Sequence, residues 1–155
     1  MRMLRLYTDT STFGGRYDQE YAKESRWFFK VAAGGRFKLV VSKQVDDEID
    51  PSPEAVKKHY ALTLSSMEYL KDSSEIEKLA DLYIARKVLT EKYRSDATHI
   101  AYATIHKCDG VVSWNFTHMV KLSKIVRFNM VNAEYGYPQL FIASPREVKE
   151  HENGE

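Results

Sequence analysis

Apolar residues along the chain form four short runs, separated by longer stretches in which they recur every three or four positions. Leu4, Leu6 and Tyr7 lead up to Asp9, Phe37 to Val41 make a second run, Val111 to Trp114 a third, and Gln139 to Ala143 a fourth. Each has the length of a strand and is bounded by polar or turn residues. Between them the period changes to that of helices. Tyr17, Tyr21, Ser25, Phe28 and Ala32 fall at helical spacing, and Gly34-Gly35 supply the stop. Ser42 is placed to cap a brief helix carrying Val45 and Ile49. Ser52 as N-cap with Pro53 in the first helical position opens a helix expected to pack Val56, Tyr60, Thr63, Met67 and Leu70. A capping box from Ser74 to Glu77 starts a long helix through Ile76, Leu79, Ala80, Tyr83 and Val88 to about Lys92. Ser95 caps the next, whose face is Ala97, Ile100, Ala101, Thr104 and Cys108. Gly14-Gly15 reads as a turn, His118 to Leu122 as a short helical stretch, and Glu147 to Glu155 as polar.

Strands alternating with helices predict a three-layer α/β domain around a mostly parallel sheet of four to five strands. One domain over residues 1–148 and a polar tail over 149–155 account for the chain, without repeats or linkers. At 155 residues and 43% hydrophobic, it can bury about two thirds of its unfolded surface and needs no disulfide scaffold. The single cysteine, Cys108, excludes an intramolecular bridge and fits a reducing compartment. Met1 to Leu6 run straight into a strand, so neither a signal peptide nor a membrane span is expected, and the protein reads as cytoplasmic. Lys plus Arg number 23 against 22 Asp plus Glu, which excludes coating nucleic acid by bulk charge. Any such contact must be local.

Ligands of open parallel sheets bind beyond the carboxyl ends of the strands. Asp9 ends the first strand, Asn115 follows the third, and Asp96 opens a helix, so distant polar groups can converge on one edge. Hard divalent cations take a few such oxygens and leave room for substrate phosphate, where they lower the pKa of an attacking water. That chemistry suits phosphodiester hydrolysis. Each acid also has a plainer role: Asp9 as a turn former, Asp96 as a first-turn acid, and at least two of Asp46, Asp47 and Glu48 as solvated surface groups. Only taken together do these acids point to a metal site. The histidines show no zinc-like spacing, Cys108 lies on an apolar helix face unsuited to a nucleophile, and Gly14-Gly15 lack the pattern of a phosphate-binding loop.

Asp96-Ala97-Thr98-His99-Ile100-Ala101-Tyr102-Ala103 followed by Val111-Val112-Ser113-Trp114-Asn115-Phe116-Thr117-His118 resembles the PIN-domain nucleases, and specifically the VapC-like toxins of type II toxin–antitoxin pairs. The likeness runs from Tyr7 to about Val148. It implies a metal-dependent ribonuclease using Mg²⁺ or Mn²⁺, with RNA as substrate, a small antitoxin protein as partner, homodimerisation as a common state, and no membrane. Residue by residue it places the first acid on Asp9, with the hydroxyl of Thr10 or Ser11 beside it. The second falls on Glu48, an acid preceding the aliphatic Ile49, with Asp47 as rival, and the third falls on Asp96. The fourth position, usually an acid in a Thr-x-Asp triplet, is Asn115 in Ser113-Trp114-Asn115, which leaves one charge fewer and weaker or single metal binding. Asn115 keeps a carbonyl able to ligate or to position phosphate, and His118, three residues on, is a further candidate for phosphate contact. Asp109 is assigned to the helix-to-strand turn. Two other classes compete: a catalytically weakened PIN-fold nucleic-acid-binding or interaction module, and a receiver-like protein. The lack of an acidic pair after the first strand and of a Lys after the last weighs against the receiver.

Overall fold

A computed structural model describes residues 2–153. Its centre is a five-stranded, wholly parallel sheet in the order β3-β2-β1-β4-β5, made of β1 (Leu4–Thr8), β2 (Phe37–Ser42), β3 (Glu68–Leu70), β4 (Gly110–Val112) and β5 (Phe141–Ala143). Parallel strands are covered on both faces, which is why β1, β2 and β4 read as near-continuous apolar runs. Alternation along β1 divides the molecule into its layers. Leu6 points with Phe37 toward α2 (Ala22–Ala33), where Phe28 stacks on Phe37 at 6.0 Å. Tyr7 points the other way and stacks on Tyr102 of α6 (Arg94–Ile105) at 6.4 Å. The helices α5 (Ser74–Ala85) and α7 (Leu122–Glu134) complete that second layer. There Tyr83 donates to Asn132 Oδ1 at 2.6 Å and meets Phe128 edge-on, a satisfied polar knot inside an apolar interface.

Chain order dictates where a crevice opens. From β1 the chain moves outward to β2 and β3, whereas β4 returns to the other side of β1 and is followed outward by β5. The connections therefore diverge between β1 and β4. A crevice forms there at the carboxyl edge.

Several expected elements differ. The helix opened near Pro53, α4, spans Glu54–Leu64 with Pro53 itself at the cap, so Met67 and Leu70 are not on it. Leu70 instead ends β3, a strand too short for its period to show. The helix expected to reach Lys92 stops at Ala85. Lys87 adopts φ 59°, and a short 3-10 turn (Glu91–Tyr93) intervenes before α6, which starts at Arg94 rather than after Ser95. Residues Thr10–Gly15, expected as a turn, form a short helix, α1, capped by Asp9. Helix α3 (Lys43–Ile49) follows Ser42 as expected. The segment around Glu147 is helical as α8 (Pro145–Asn153), pressing Val148 against the domain, and the last two residues of the expected tail, 154 and 155, lie outside the described residues. Among the described residues no helix is long and apolar enough to cross a membrane.

Candidate active site

The first acid is set by the strand-to-helix junction. Asp9 follows β1 in extended conformation and caps α1, accepting from the Thr12 amide at 3.3 Å and from the Ser11 hydroxyl at 2.7 Å. Ser113, just past β4, donates to its other oxygen at 2.6 Å. The residue is 4% exposed, and burial raises its pKa against the opposing pull of His99 and these hydroxyls.

Glu48 arrives from α3, close to the end of β2. It accepts from Thr10 Oγ1 at 2.8 Å and Gln44 Nε2 at 2.7 Å, and both its oxygens lie 3.0 Å from His99 Nε2. Burial alone would push its pKa up, but the His99 bond and charge, with Gln44 and Thr10, outweigh it and hold the carboxyl below its ordinary value. Its neighbours in the acidic run face elsewhere. Asp47 pairs with Lys43 at 2.8 Å in solvent, and Asp46 accepts from the hydroxyls of Tyr60 and Tyr69. Glu48 is thus the one of the three that the fold brings beside the first strand. Glu48→Gln is expected to cripple any cleavage, whereas Asp46→Asn leaves it intact and costs stability only through the tyrosine bonds. An RNA cleavage assay beside thermal melts separates these, and an essential Asp46 would show the register to be wrong.

Asp96 sits in the first turn of α6, where the helix field favours an acid. Its Oδ2 lies 3.2 Å from His118 Nδ1, and its pKa is raised, first by burial and further by Asp9 and Glu48, against His99 and His118. The three acids therefore feel one another across the crevice. Asn115 is placed differently from the other three. Its side-chain oxygen accepts from the backbone amides of Thr117 at 3.2 Å and His118 at 2.9 Å, so it shapes the loop that presents His118 rather than standing open. His118 also lies over Tyr93 at 3.7 Å between centroids. Asp109 is at the opposite, amino edge of the sheet, bonded by Arg2 and the Arg5 amide. Burial pushes the Cys108 thiol up to about 12, which leaves it without thiolate character.

Sequence reasoning missed His99 as a functional group. It is 1% exposed, with Nδ1 2.7 Å from the Tyr7 hydroxyl, which also bonds Ser42 at 2.7 Å. Burial works against its charge, but Glu48, Asp9 and Asp96 prevail and raise its pKa. The available signal was its spacing, three residues after Asp96 on α6, which puts both on one helix face. Its apolar neighbours hid it.

The donor set, carboxylate oxygens from three elements, is of the kind Mg²⁺ and Mn²⁺ take. Each acid nevertheless already has a protein partner, and among the described residues no three His, Cys, Asp or Glu side chains are grouped so that they could hold an ion as they stand. Glu48 and Asp96, with side chains 29% and 19% exposed, are the two that solvent reaches.

No protein-family model matches the chain, and no curated protein matches it significantly. Among solved structures it is similar to a chain in the crystal structure of VapBC2 from Rickettsia felis bound to a DNA fragment from their promoter, with a TM-score of 0.59 at 12% identity. The match covers 91% of this chain and 98% of that one. The shared feature is the fold, a PIN-like three-layer α/β domain.

Proposed function

We propose that the protein is a metal-dependent endoribonuclease, acting at the crevice between β1 and β4 and held in check by a small antitoxin protein. The observation that carries the reading is that Asp9, Glu48 and Asp96, carried by separate elements, lie near the switch point of a PIN-like sheet, where Asp96, its pKa raised first by burial, is raised further by Asp9 and Glu48. Crowding like charges costs stability unless they serve a ligand of opposite charge. Bound Mg²⁺ or Mn²⁺ would supply an activated water and steady the charge that develops at phosphorus. Asp9, Glu48 and Asp96 are the residues that would hold the ion once released from their present partners, with Ser11, Thr12 and Ser113 fixing Asp9 and His99 fixing Glu48. The VapBC2 likeness supports the antitoxin as partner. The resemblance in the motifs supports RNA as substrate and homodimerisation, and the single cysteine fits a cytoplasmic setting.

One specific observation favours a second reading, a PIN-fold binding module without activity. The Asn115 oxygen is committed to its own loop, and every acid of the crevice is satisfied by the protein. A nuclease assay on structured and unstructured RNA with Mg²⁺, Mn²⁺ or EDTA decides. Cleavage that EDTA abolishes supports the enzyme, and RNA retention without cleavage in either metal supports the module.

A further inference from the structure

Beyond the crevice, Arg16 follows α1 directly and is held in an unusual way. Most other arginines face carboxylates, as Arg5 faces Glu68 at 2.7 Å and Arg94 faces Asp81 at 2.6 Å. Arg16 Nη1 instead lies 2.7 Å from His59 Nδ1, on α4, with the arginine as donor. Burial and the guanidinium itself keep His59 neutral, lowering its pKa to about 4, so it can accept at physiological pH. His59 is 4% exposed and wedged among aromatic rings, edge-on to Phe29 at 4.5 Å and near Phe13 at 5.8 Å. Its Nε2 is, among the described residues, the one buried side-chain nitrogen or oxygen without a hydrogen-bond partner. An orphaned buried donor is a poor way to stabilise a fold. What the contact achieves is a guanidinium held in place with, among the described residues, no carboxylate paired to it.

The location fits a substrate that continues past the crevice. Asp9 caps the start of α1 and Arg16 follows its end, seven residues later, so the two are separated by about 10 Å of helix. Thr10 at the start of α1 bonds Glu48, and Arg16 caps its end, while Phe13 between them is buried and anchors the helix against Tyr60 of α4. Beside Arg16 stands Tyr17, 47% exposed, with the guanidinium carbon 5.9 Å from its ring centre. A fixed cation next to an open aromatic ring is the pairing that single-stranded nucleic acid uses, phosphate on the one and base on the other.

We infer that Arg16 and Tyr17, with His59 holding the guanidinium, form a subsite for single-stranded RNA adjoining the carboxylate crevice, taking a phosphodiester beyond the one cut and stacking a base. The inference rests on the reading of RNA as substrate, and its test does not need catalysis.

A short fluorescein-labelled single-stranded RNA, and DNA of the same sequence, are titrated with the full chain in EDTA over a range of potassium chloride concentrations, followed by anisotropy. Arg16→Ala is expected to weaken RNA binding about tenfold and to lower the slope of log affinity against log salt by about 0.7, the share of one phosphate contact on a single strand. Arg16→Lys retains the slope. Tyr17→Ala costs about fivefold or more without changing the slope, since stacking is uncharged. His59→Phe, which fills the same aromatic niche, keeps the charge but frees the guanidinium, and so weakens binding several-fold. Lys58→Ala, an exposed cation beside His59, leaves affinity and slope unchanged. Equal slope losses for Arg16→Ala and Lys58→Ala would mean bulk charge and overturn the subsite, as would an Arg16→Ala variant that binds like wild type. Tighter, Arg16-dependent binding of the DNA would overturn the assignment to RNA. Arg16-dependent RNA binding with no cleavage in Mg²⁺ or Mn²⁺ would sink the nuclease reading alone, whereas metal-dependent cleavage with Arg16 indifferent would sink the subsite alone.

Discussion

Asp96→Asn is expected to reduce metal-dependent RNA cleavage by more than about a hundredfold, the upper range for losing even an outer partner of a metal site, and yet to melt at a higher temperature in EDTA. The sign follows from its surroundings. Burial, then Asp9 and Glu48, raise the Asp96 pKa in the fold above its unfolded value, so the folded state favours the protonated acid. Its stabilising contribution is therefore present at low pH and lost as pH rises from the unfolded toward the folded pKa. At neutral pH the charge is a net cost, and its removal should stabilise the metal-free protein by on the order of 1 kcal/mol, as lifting a functional constraint commonly does. Mn²⁺ should then raise the melting temperature of the wild type by mass action and that of the variant less. A variant that melts lower, with Mn²⁺ shifting both proteins equally, would reduce Asp96 to a helix-start acid whose loss removes a favourable dipole contact.

Gly15→Ala is expected to cost about 1–3 kcal/mol, or roughly 3–9 °C in melting temperature for a chain of this size. A methyl at this position would lie 2.6 Å from Trp114 Nε1 and 2.7 Å from Ser25 Oγ, driving apart the 2.8 Å bond between them. The indole has little room to yield. It is 5% exposed and stacked on Tyr21 at 4.1 Å. Because Trp114 follows the serine that holds Asp9, cleavage should weaken along with stability. Gly14→Ala is the internal control: nothing lies within 4 Å of its added carbon, so the substitution should stabilise α1 slightly through backbone entropy. Calorimetric melts of both variants check the pair, and an unchanged Gly15→Ala would mean the indole is not held as described.

The contrast between those two glycines also shows what could be read from the sequence. Side by side they suggest a turn. Only the packing of Trp114 against one of them reveals a helix whose close approach requires a missing side chain. The main strands were legible because burial on both faces makes their runs apolar, and α2, α3 and α5 because their apolar residues recur at helical spacing. β3 was not, since it has three residues and one of them, Tyr69, is exposed. α7 was overlooked because Leu122 and Met130 point to solvent and blur the period, and no side chain caps its start. α8 has Val148 as its buried apolar anchor among charged residues and reads as a tail. In the site, Asp9 and Asp96 could be placed by their positions at a strand end and a helix start. The pairing of Glu48 with His99 spans 51 residues and depends on the sheet order. No local pattern encodes it. The commitment of Asn115 to its own loop was equally hidden, because a carbonyl that caps a turn and one that ligates are the same residue in one dimension.

The serine that fixes Asp9 lies 104 residues downstream of it, and β1 acquires its second neighbour only when Gly110 docks against Leu6. A chain emerging from the ribosome therefore carries Asp9, Glu48 and Asp96 well before it has the strand that closes the crevice. Such late, long-range closure slows folding. It also means that a truncated product ending before β4 holds every acid of the site but lacks the serine that fixes Asp9 and the strand that closes the crevice, so the proposed activity would arrive only once β4 has been made.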